Sequence, residues 1–348
     1  MTSSRSRRAL VFVVLLVAAC DTTATSGSVA DPTISEVRDE LLGYVGDIPG
    51  ATGYRYAVTD DLGHEMDTAK IIQIAETGEF AAVYHWWSDD TRSFSVSLAT
   101  STNLLDWTRR VTLAQQASMP YIEEASDGGY VVAWEQEPDN HLKFAYYATW
   151  DGLLLGSTTK TFDAHQKLSG CAEGTPSIYS ASSTEVDFGF HYFADCETDR
   201  QARGTTDWVT WQATPQFQLD RAAILQGYRG SIGDREVIDF KGYEFTFLES
   251  QFTQNDWRTF RFLLYDEELG ARDQAGLTVG FGKAPPEPPS VHVFMATHKG
   301  SYSFTNLTAT EVTIDGQRAI VFGVFIPMEG GRPGEIGQLI YYRVIDEP

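Results

Sequence analysis

Basic residues are scarce in this chain: 26 lysines and arginines stand against 48 aspartates and glutamates, for a net charge of −22 over 348 residues. So acidic a surface repels nucleic acid and anionic lipid, and it argues more weakly against a strongly polyanionic substrate. No apolar run approaches the roughly 20 residues that a membrane-spanning helix needs. There is no phosphate-cradling P-loop, no dinucleotide glycine motif, no G-x-S-x-G nucleophile elbow and no H-E-x-x-H metal helix. Cysteine is limited to residues 20, 171 and 196, with no histidine at zinc-site spacing. From about residue 53 onward, helical periodicity is missing as well.

What the chain does contain is aromatic residues, 13% of the total, with eight tryptophans and sixteen tyrosines. They favour strands, and their flat faces also suit stacking on sugar rings; composition does not separate the two uses. The N-terminus reads in three parts: Arg5, Arg7 and Arg8, then the apolar stretch Leu10 to Ala18, then Val17-Ala18-Ala19-Cys20. This ending resembles the lipobox of bacterial lipoproteins, which implies an export signal over residues 1–19 and a lipid on Cys20. An ordinary secretory signal that happens to contain a cysteine is the alternative reading. Residues 21–33, small, polar and free of aromatics, read as a flexible tether. Ser35 to Val45 is the one expected helix, with a capping serine and early acids. With Cys20 assigned to lipid, Cys171 and Cys196 are left as an even pair in an oxidising compartment, and a disulfide between them is expected. Two buried free thiols are the competing reading.

The region from 53 onward repeats a unit of roughly 50–60 residues. In the first copy the expected strands are Ala69 to Ala75, Phe80 to Trp87 and Phe94 to Ala99. The second has Met119 to Ile122, the turn Asp127-Gly128-Gly129, Tyr130 to Glu135 and Leu142 to Thr149. The third has Pro176 to Tyr179 and Val186 to Phe193, then Asp207 to Trp211. The fourth has Arg235 to Phe240, Tyr243 to Glu249 and Phe260 to Tyr265, and the fifth Ala309 to Ile314, Ala319 to Ile326 and Gln338 to Val344. Each is an antiparallel meander with tight glycine turns. Such small sheets must stack on neighbours to hide their apolar faces, and radial stacking does so. The fold class is therefore all-β: a five-bladed β-propeller over 53–348, preceded by a signal peptide (1–19) and a lipidated tether with one short helix (20–52). A β-sandwich is the runner-up.

The stretch Ser101-Thr102-Asn103-Leu104-Leu105-Asp106-Trp107 resembles the S-x-D-L-x-x-W blade ending of five-bladed propeller glycosidases, glycoside hydrolase family 43 and its relatives. Resemblance to that superfamily implies an aspartate base in blade one, a second aspartate in blade two and a glutamate acid opening blade three. Asp67 in His64-Glu65-Met66-Asp67-Thr68 lies where the base is expected, without the usual following proline. Glu173 in Ala172-Glu173-Gly174-Thr175-Pro176 is similar to the acid's E-G-P, with an extra threonine. Blade two has no aspartate before Met119-Pro120, and Asp234 at the start of blade four is the candidate replacement.

The expected catalytic carboxylates are thus Asp67, Glu173 and Asp234, since inverting hydrolysis needs one protonated carboxyl and one ionised carboxylate facing each other. His191, Tyr192, Arg200, Arg203, Arg235, His298 and Trp86 are candidate substrate contacts. For each the bland alternative stands: Arg200 pairing with Asp199, Asp234 with Arg235, a structural His298, a core tryptophan. The leading expectation is a monomeric glycoside hydrolase of the cell envelope, anchored to the membrane only through Cys20 and acting on polysaccharide. A polysaccharide lyase using His191 and Tyr192 with Arg200 or Arg203 is one alternative, and a non-catalytic glycan-binding propeller another. No cofactor is required; a structural Ca²⁺ is admissible, although no ligand motif announces one.

Overall fold

A computed structural model describes residues 32–269 and 288–345. The export signal, Cys20 and most of the tether therefore lie outside the described residues. Five four-stranded antiparallel sheets follow one another along the chain. Strand β1 (Gly53–Arg55) precedes blade I, which comprises β2 (Asp67–Gln73), β3 (Phe80–Ser88), β4 (Ser93–Ser101) and β5 (Thr108–Gln115). Blade II is β6 (Ala117–Glu124), β7 (Tyr130–Gln136), β8 (His141–Tyr147) and β9 (Lys160–Ala164). Blade III is β10 (Glu173–Ala181), β11 (Val186–Ala194), β12 (Thr198–Thr206) and β13 (Trp211–Pro215). Blade IV is β14 (Ile232–Phe240), β15 (Tyr243–Gln251), β16 (Phe260–Asp266) and β17 (Val291–Val293). Blade V contains β18 (Thr305–Ile314), β19 (Gln317–Ile326) and β20 (Gly337–Val344), and its fourth strand is β1. The ring is a five-bladed β-propeller whose last blade is completed from the N-terminal side, Gly53 to Arg55 pairing with Tyr342 to Ile340.

The turns explain why the sheets form where they do. Gly128, Gly242 and Gly316 each adopt positive φ at the hairpin tips of blades II, IV and V, a conformation that costs glycine nothing. The Ser101–Trp107 stretch is the turn from β4 to β5: the Asn103 side chain accepts the Leu105 and Asp106 N–H groups at 3.0 and 2.9 Å, and the Trp107 indole donates to the Leu104 carbonyl at 3.0 Å. In blade III, Asp207 does the same for Val209 and Thr210.

Alternating apolar residues of the middle strands face opposite neighbours. In β3, Ala81 and Val83 pack toward blade II, whereas Phe80, Ala82 and Tyr84 pack toward blade V. Helix α1 (Ile34–Gly46) buries Val37, Leu41 and Val45 between blades IV and V, in one cluster with Phe245, Phe262 and Phe322. Arg38 on the same face reaches the buried Asp266 carboxylate at 3.0 Å. Residues 34–46 are thus part of the propeller body. Helices α2 (Trp150–Leu154) and α3 (Phe217–Leu225) lie in the links that lead out of β8 and β13.

Candidate active site

All five inner strands break register at the same level, with a bulge after Asp67, Ser118, Gly174, Gly233 and Thr305. Bulges of this kind re-aim a side chain and are common beside active sites. The next residues are Thr68, Met119, Thr175, Asp234 and Asn306, and all but Asp234 have φ between +46° and +54°. These five, one per blade, surround a cavity of about 30 Å³ on the axis, room for little more than a water.

Directly across each bulge, the second strand carries His85, Glu135, His191, Glu249 and Phe325. The first four reach forward to the bulge of the following blade. His85 accepts the Met119 N–H at Nδ1 (3.1 Å). Glu135 accepts both the N–H and the hydroxyl of Thr175 (2.6 and 2.9 Å). His191 Nδ1 stands 3.7 Å from Asp234, and Glu249 accepts the Asn306 N–H. The result is a belt of polar contacts across four blade interfaces. Gly174 is required in it, because a Cβ there would collide with the Glu135 carboxylate.

The belt holds protons unusually well. Burial, aided by Glu65, raises Asp67 to about 7, and its Oδ1 is buried without a hydrogen-bond partner. Burial also raises Asp234 to about 6, against the pull of His191 and the Thr175 hydroxyl. Glu249 is pushed well above the usual carboxylate range by burial and then by the negative charge of Asp234. Asn306 joins the two, its amide donating to Asp234 and its backbone N–H to Glu249. Two such carboxyls side by side favour keeping a proton between them. His191, although buried, has its proton affinity raised by Asp199, Glu135 and Asp234. His85 has no such neighbours, and burial lowers it to about 3. It is a neutral imidazole whose Nδ1 acts as acceptor, which places the proton on Nε2.

Asp67 and Asp234 therefore both sit in the bulge belt. Glu173 does not: it lies one residue before the Asp67 phase, opposite Tyr192. It is fully buried, and its Oε1 accepts the backbone N–H groups of Lys167, Leu168 and Ser169. That carboxyl organises the loop entering blade III; its Oε2 is buried without a hydrogen-bond partner, and burial raises its proton affinity against the pull of those N–H groups. The same loop is tied down by the Cys171–Cys196 disulfide (Cα–Cα 5.8 Å).

The other expected contacts scatter. Trp86 points to the face opposite His85, packing on His64 (4.0 Å) beneath the Arg109 guanidinium (4.7 Å). Tyr192, adjacent to His191, faces the opposite side and joins the core between blades II and III. Arg200, a candidate substrate contact, bonds the backbone carbonyls of Asp199 and Gly230 at 2.7 and 2.9 Å, in place of the alternative pair with the Asp199 carboxylate. Arg203 is held by Asp187 and, like Arg235, lines a cavity at the far end of the axis. The set needed for lyase chemistry is thus split between faces and ends. His298 lies on the blade V rim with Tyr54 and Tyr56, its Nδ1 3.1 Å from the Tyr56 hydroxyl. Among the described residues, no three His, Cys, Asp or Glu side chains converge to hold a metal ion.

Sequence reasoning missed His85, Glu135 and, as a site residue, Glu249. One signal was present: His85, Glu135 and Glu249 each stand seven residues after the hairpin glycine of their blade, Gly78, Gly128 and Gly242.

No protein-family model matches the chain, and no curated protein matches it either. Solved structures do share its architecture. A glycoside hydrolase aligns with a TM-score of 0.53 at 11% identity, covering 89% of this chain and 95% of that one. The α-L-arabinofuranosidase from Lactobacillus brevis aligns at 0.53 and 8%, covering 82% and 92%. The α-L-arabinanase of Penicillium chrysogenum complexed with arabinobiose aligns at 0.51 and 11%, covering 85% and 99%. The chain has the five-bladed β-propeller fold of these glycoside hydrolases.

Proposed function

We propose that the chain is a glycoside hydrolase acting on a neutral polysaccharide, exported and lipid-anchored in the bacterial cell envelope through Cys20. The observation that carries this reading is the bulge belt, where Asp67 and the Asp234–Glu249 pair occupy one level of the axis with raised proton affinities. The like-folded arabinofuranosidase and arabinanase support the substrate class. The net charge of −22 favours a neutral glycan over a uronate polymer.

In this reading Asp67, once ionised, is the base that activates water. The Asp234–Glu249 pair, holding a proton between them, supplies the acid for the leaving oxygen. Asn306 orients both members of the pair, and His191, whose proton affinity Asp199, Glu135 and Asp234 raise, stands 3.7 Å from Asp234. Incubation with arabinan, xylan and galactan, followed by reducing-end release, tests the activity. Loss of release in Asp67→Asn and in Glu249→Gln supports the roles; full activity in either removes them. Mass spectrometry of the exported chain tests the anchor: an N-terminal diacylglyceryl-cysteine at residue 20 is expected, and a free amine on another residue would refute it.

A second reading, glycan binding without cleavage, is favoured by one feature, the roughly 30 Å³ left between the five bulge residues. In that case the same panel would show retention of a polysaccharide with no new reducing ends.

A further inference from the structure

Outward from the axis, the last two strands of blade IV and the chain leading into blade V enclose a cavity of about 390 Å³, within the size range of small-molecule sites. Its apolar floor is Phe262, Val293 and Phe304, all buried in the core between blades IV and V. Rings surround that floor. Tyr228 contacts His292 with centroids 5.7 Å apart, and His292 contacts Phe294 at 5.8 Å. Tyr302 completes the set, held by its hydroxyl bond to the Glu329 carbonyl at 3.1 Å. Phe294 is 83% exposed and Tyr302 43%, so much of both rings is open to a ligand. The Tyr228 hydroxyl and His292 Nδ1 lie 3.2 Å apart, and burial, then the nearby Arg261, lowers the proton affinity of that imidazole and keeps it neutral. Arg261 is therefore the one charge in the lining, which contains no carboxylate. Its Nη1 donates to the carbonyls of Arg258 and Phe260 at 3.0 and 2.6 Å, which fixes the guanidinium. No carboxylate among the described residues forms an ion pair with it.

A lone guanidinium among rings repels cations and suits a carboxylate, which it can hold through two parallel N–H bonds. The rings suit a flat body with an apolar face, and the Tyr228 hydroxyl and His292 offer neutral polar partners at its edge. A uronic-acid ring has all three features: an apolar face, hydroxyls that donate and accept, and one carboxylate. We propose that this cavity binds a uronate residue of an oligosaccharide, holding an acidic branch of an otherwise neutral polysaccharide on the flank of blade IV. The net charge of −22 opposes a polyanion as a whole. An isolated branch meets Arg261 at contact, whereas carboxylates beyond a Debye length of about 8 Å are screened. The choice of a sugar over other ring carboxylates rests on the polysaccharide reading above; the charge and shape of the site do not.

Calorimetric titration of the mature chain with glucuronate-branched xylotriose tests the site, with unbranched xylotriose, benzoate and laurate as comparison probes. The branched sugar is expected to bind about tenfold or more tightly than each of these, and to weaken as salt is raised. Its affinity should fall about tenfold or more in Arg261→Gln and several-fold in Phe294→Ala, a surface change that leaves the core intact. It should be unaltered in Asp67→Asn. Hydrogen exchange on the unaltered chain needs no variant: the branched sugar should protect 291–295 and 302–304 rather than the bulges. Absence of binding, equal affinity for unbranched xylotriose, tighter binding of benzoate or laurate, full affinity in Arg261→Gln, or protection confined to the bulges would each overturn the proposal. Arg261-dependent binding without cleavage of any polysaccharide would support this site and remove the hydrolase reading.

Discussion

The two ends of the propeller axis are built from the same five strands, yet they differ in the way that matters for chemistry. At the bulged end every inner strand carries a bulge, four of the five take up positive φ there, and side chains from four second strands reach across to the following blade. At the other end four of the five inner strands run without a further break, Lys70 and Tyr121 both bond Glu236 Oε1, and a wide cavity remains. The bulged end has carboxyls with raised proton affinity and almost no space; the far end has space and mixed polar groups. One repeated sheet thus becomes two environments through a single extra residue per strand.

Substitutions at the bulged end should produce the largest effects. Asp67→Asn or Asp234→Asn is expected to lower kcat/KM on the cleaved polysaccharide by about 10²–10⁴, the usual range for an acid–base group, with little change in thermal midpoint. A comparable loss of activity from a far-end variant such as Glu244→Gln would erase the distinction drawn between the ends. Next comes Lys70→Met, which leaves Glu236 charged and unpaired in the interior. Breaking a buried pair this way costs about 3–5 kcal/mol in denaturant unfolding, and the double variant Lys70→Met/Glu236→Leu should recover much of it. Gly174→Ala should cost about 1–3 kcal/mol by overpacking the Glu135 contact, and it should reduce activity as well, because Thr175 and Asp234 share that corner.

The pH dependence of stability joins both ends. Asp67 and Glu123 are raised to about 7, Asp234 and Asp220 to about 6. A carboxyl whose proton affinity is higher in the native state binds more protons folded than unfolded, so its stabilisation is complete below the unfolded pKa and is lost as pH rises through 6–7. Asp60, Asp163 and Glu335 are shifted downward, and their stabilisation is lost only as pH falls below the ordinary carboxylate range. The thermal midpoint should therefore be higher at about pH 5 than at about pH 8; a midpoint that climbs steadily to pH 8 would contradict the burial described for the belt. The smallest effect is expected from Arg203→Ala. Its pair with Asp187 is about half exposed on the arginine side, and exposed pairs contribute about 0–1 kcal/mol.

The architecture was legible because its signals are local. Asp-Gly and Lys-Gly turns, alternating apolar strands and the Asn103 and Asp207 turn side chains each announce themselves within a few residues, and five copies reinforce one another. The helix at 35–45 was legible for the same reason, although its burial between blades IV and V was not, since that depends on Phe245 and Phe322 hundreds of residues away. The site was half legible. Asp67 and Asp234 open inner strands and were found there. Glu173 also opens one, but the bulge follows Gly174, which puts the glutamate one residue out of phase and leaves its carboxyl to the Lys167–Ser169 backbone. Glu135 and Glu249 escaped because they close second strands and meet their partners, Thr175 and Asn306, only across a blade boundary. Arg203 and Arg235 lie at the correct strands but at the wrong end of the axis, a distinction that residue type does not carry.

The three-residue strand β1 has a consequence for how the molecule comes into being. Its partner, β20, is made almost 300 residues later, so a chain emerging from the ribosome builds blades I to IV while the closing strand waits with unpaired backbone groups. Only when Ile340 to Tyr342 arrive does blade V gain its last two strands, and the Tyr341 hydroxyl then adds its bond to the Val45 carbonyl of α1. A nascent or truncated chain ending before residue 337 would leave β1 and the outer edge of β19 unpaired, two strand edges prone to recruit a strand from another molecule.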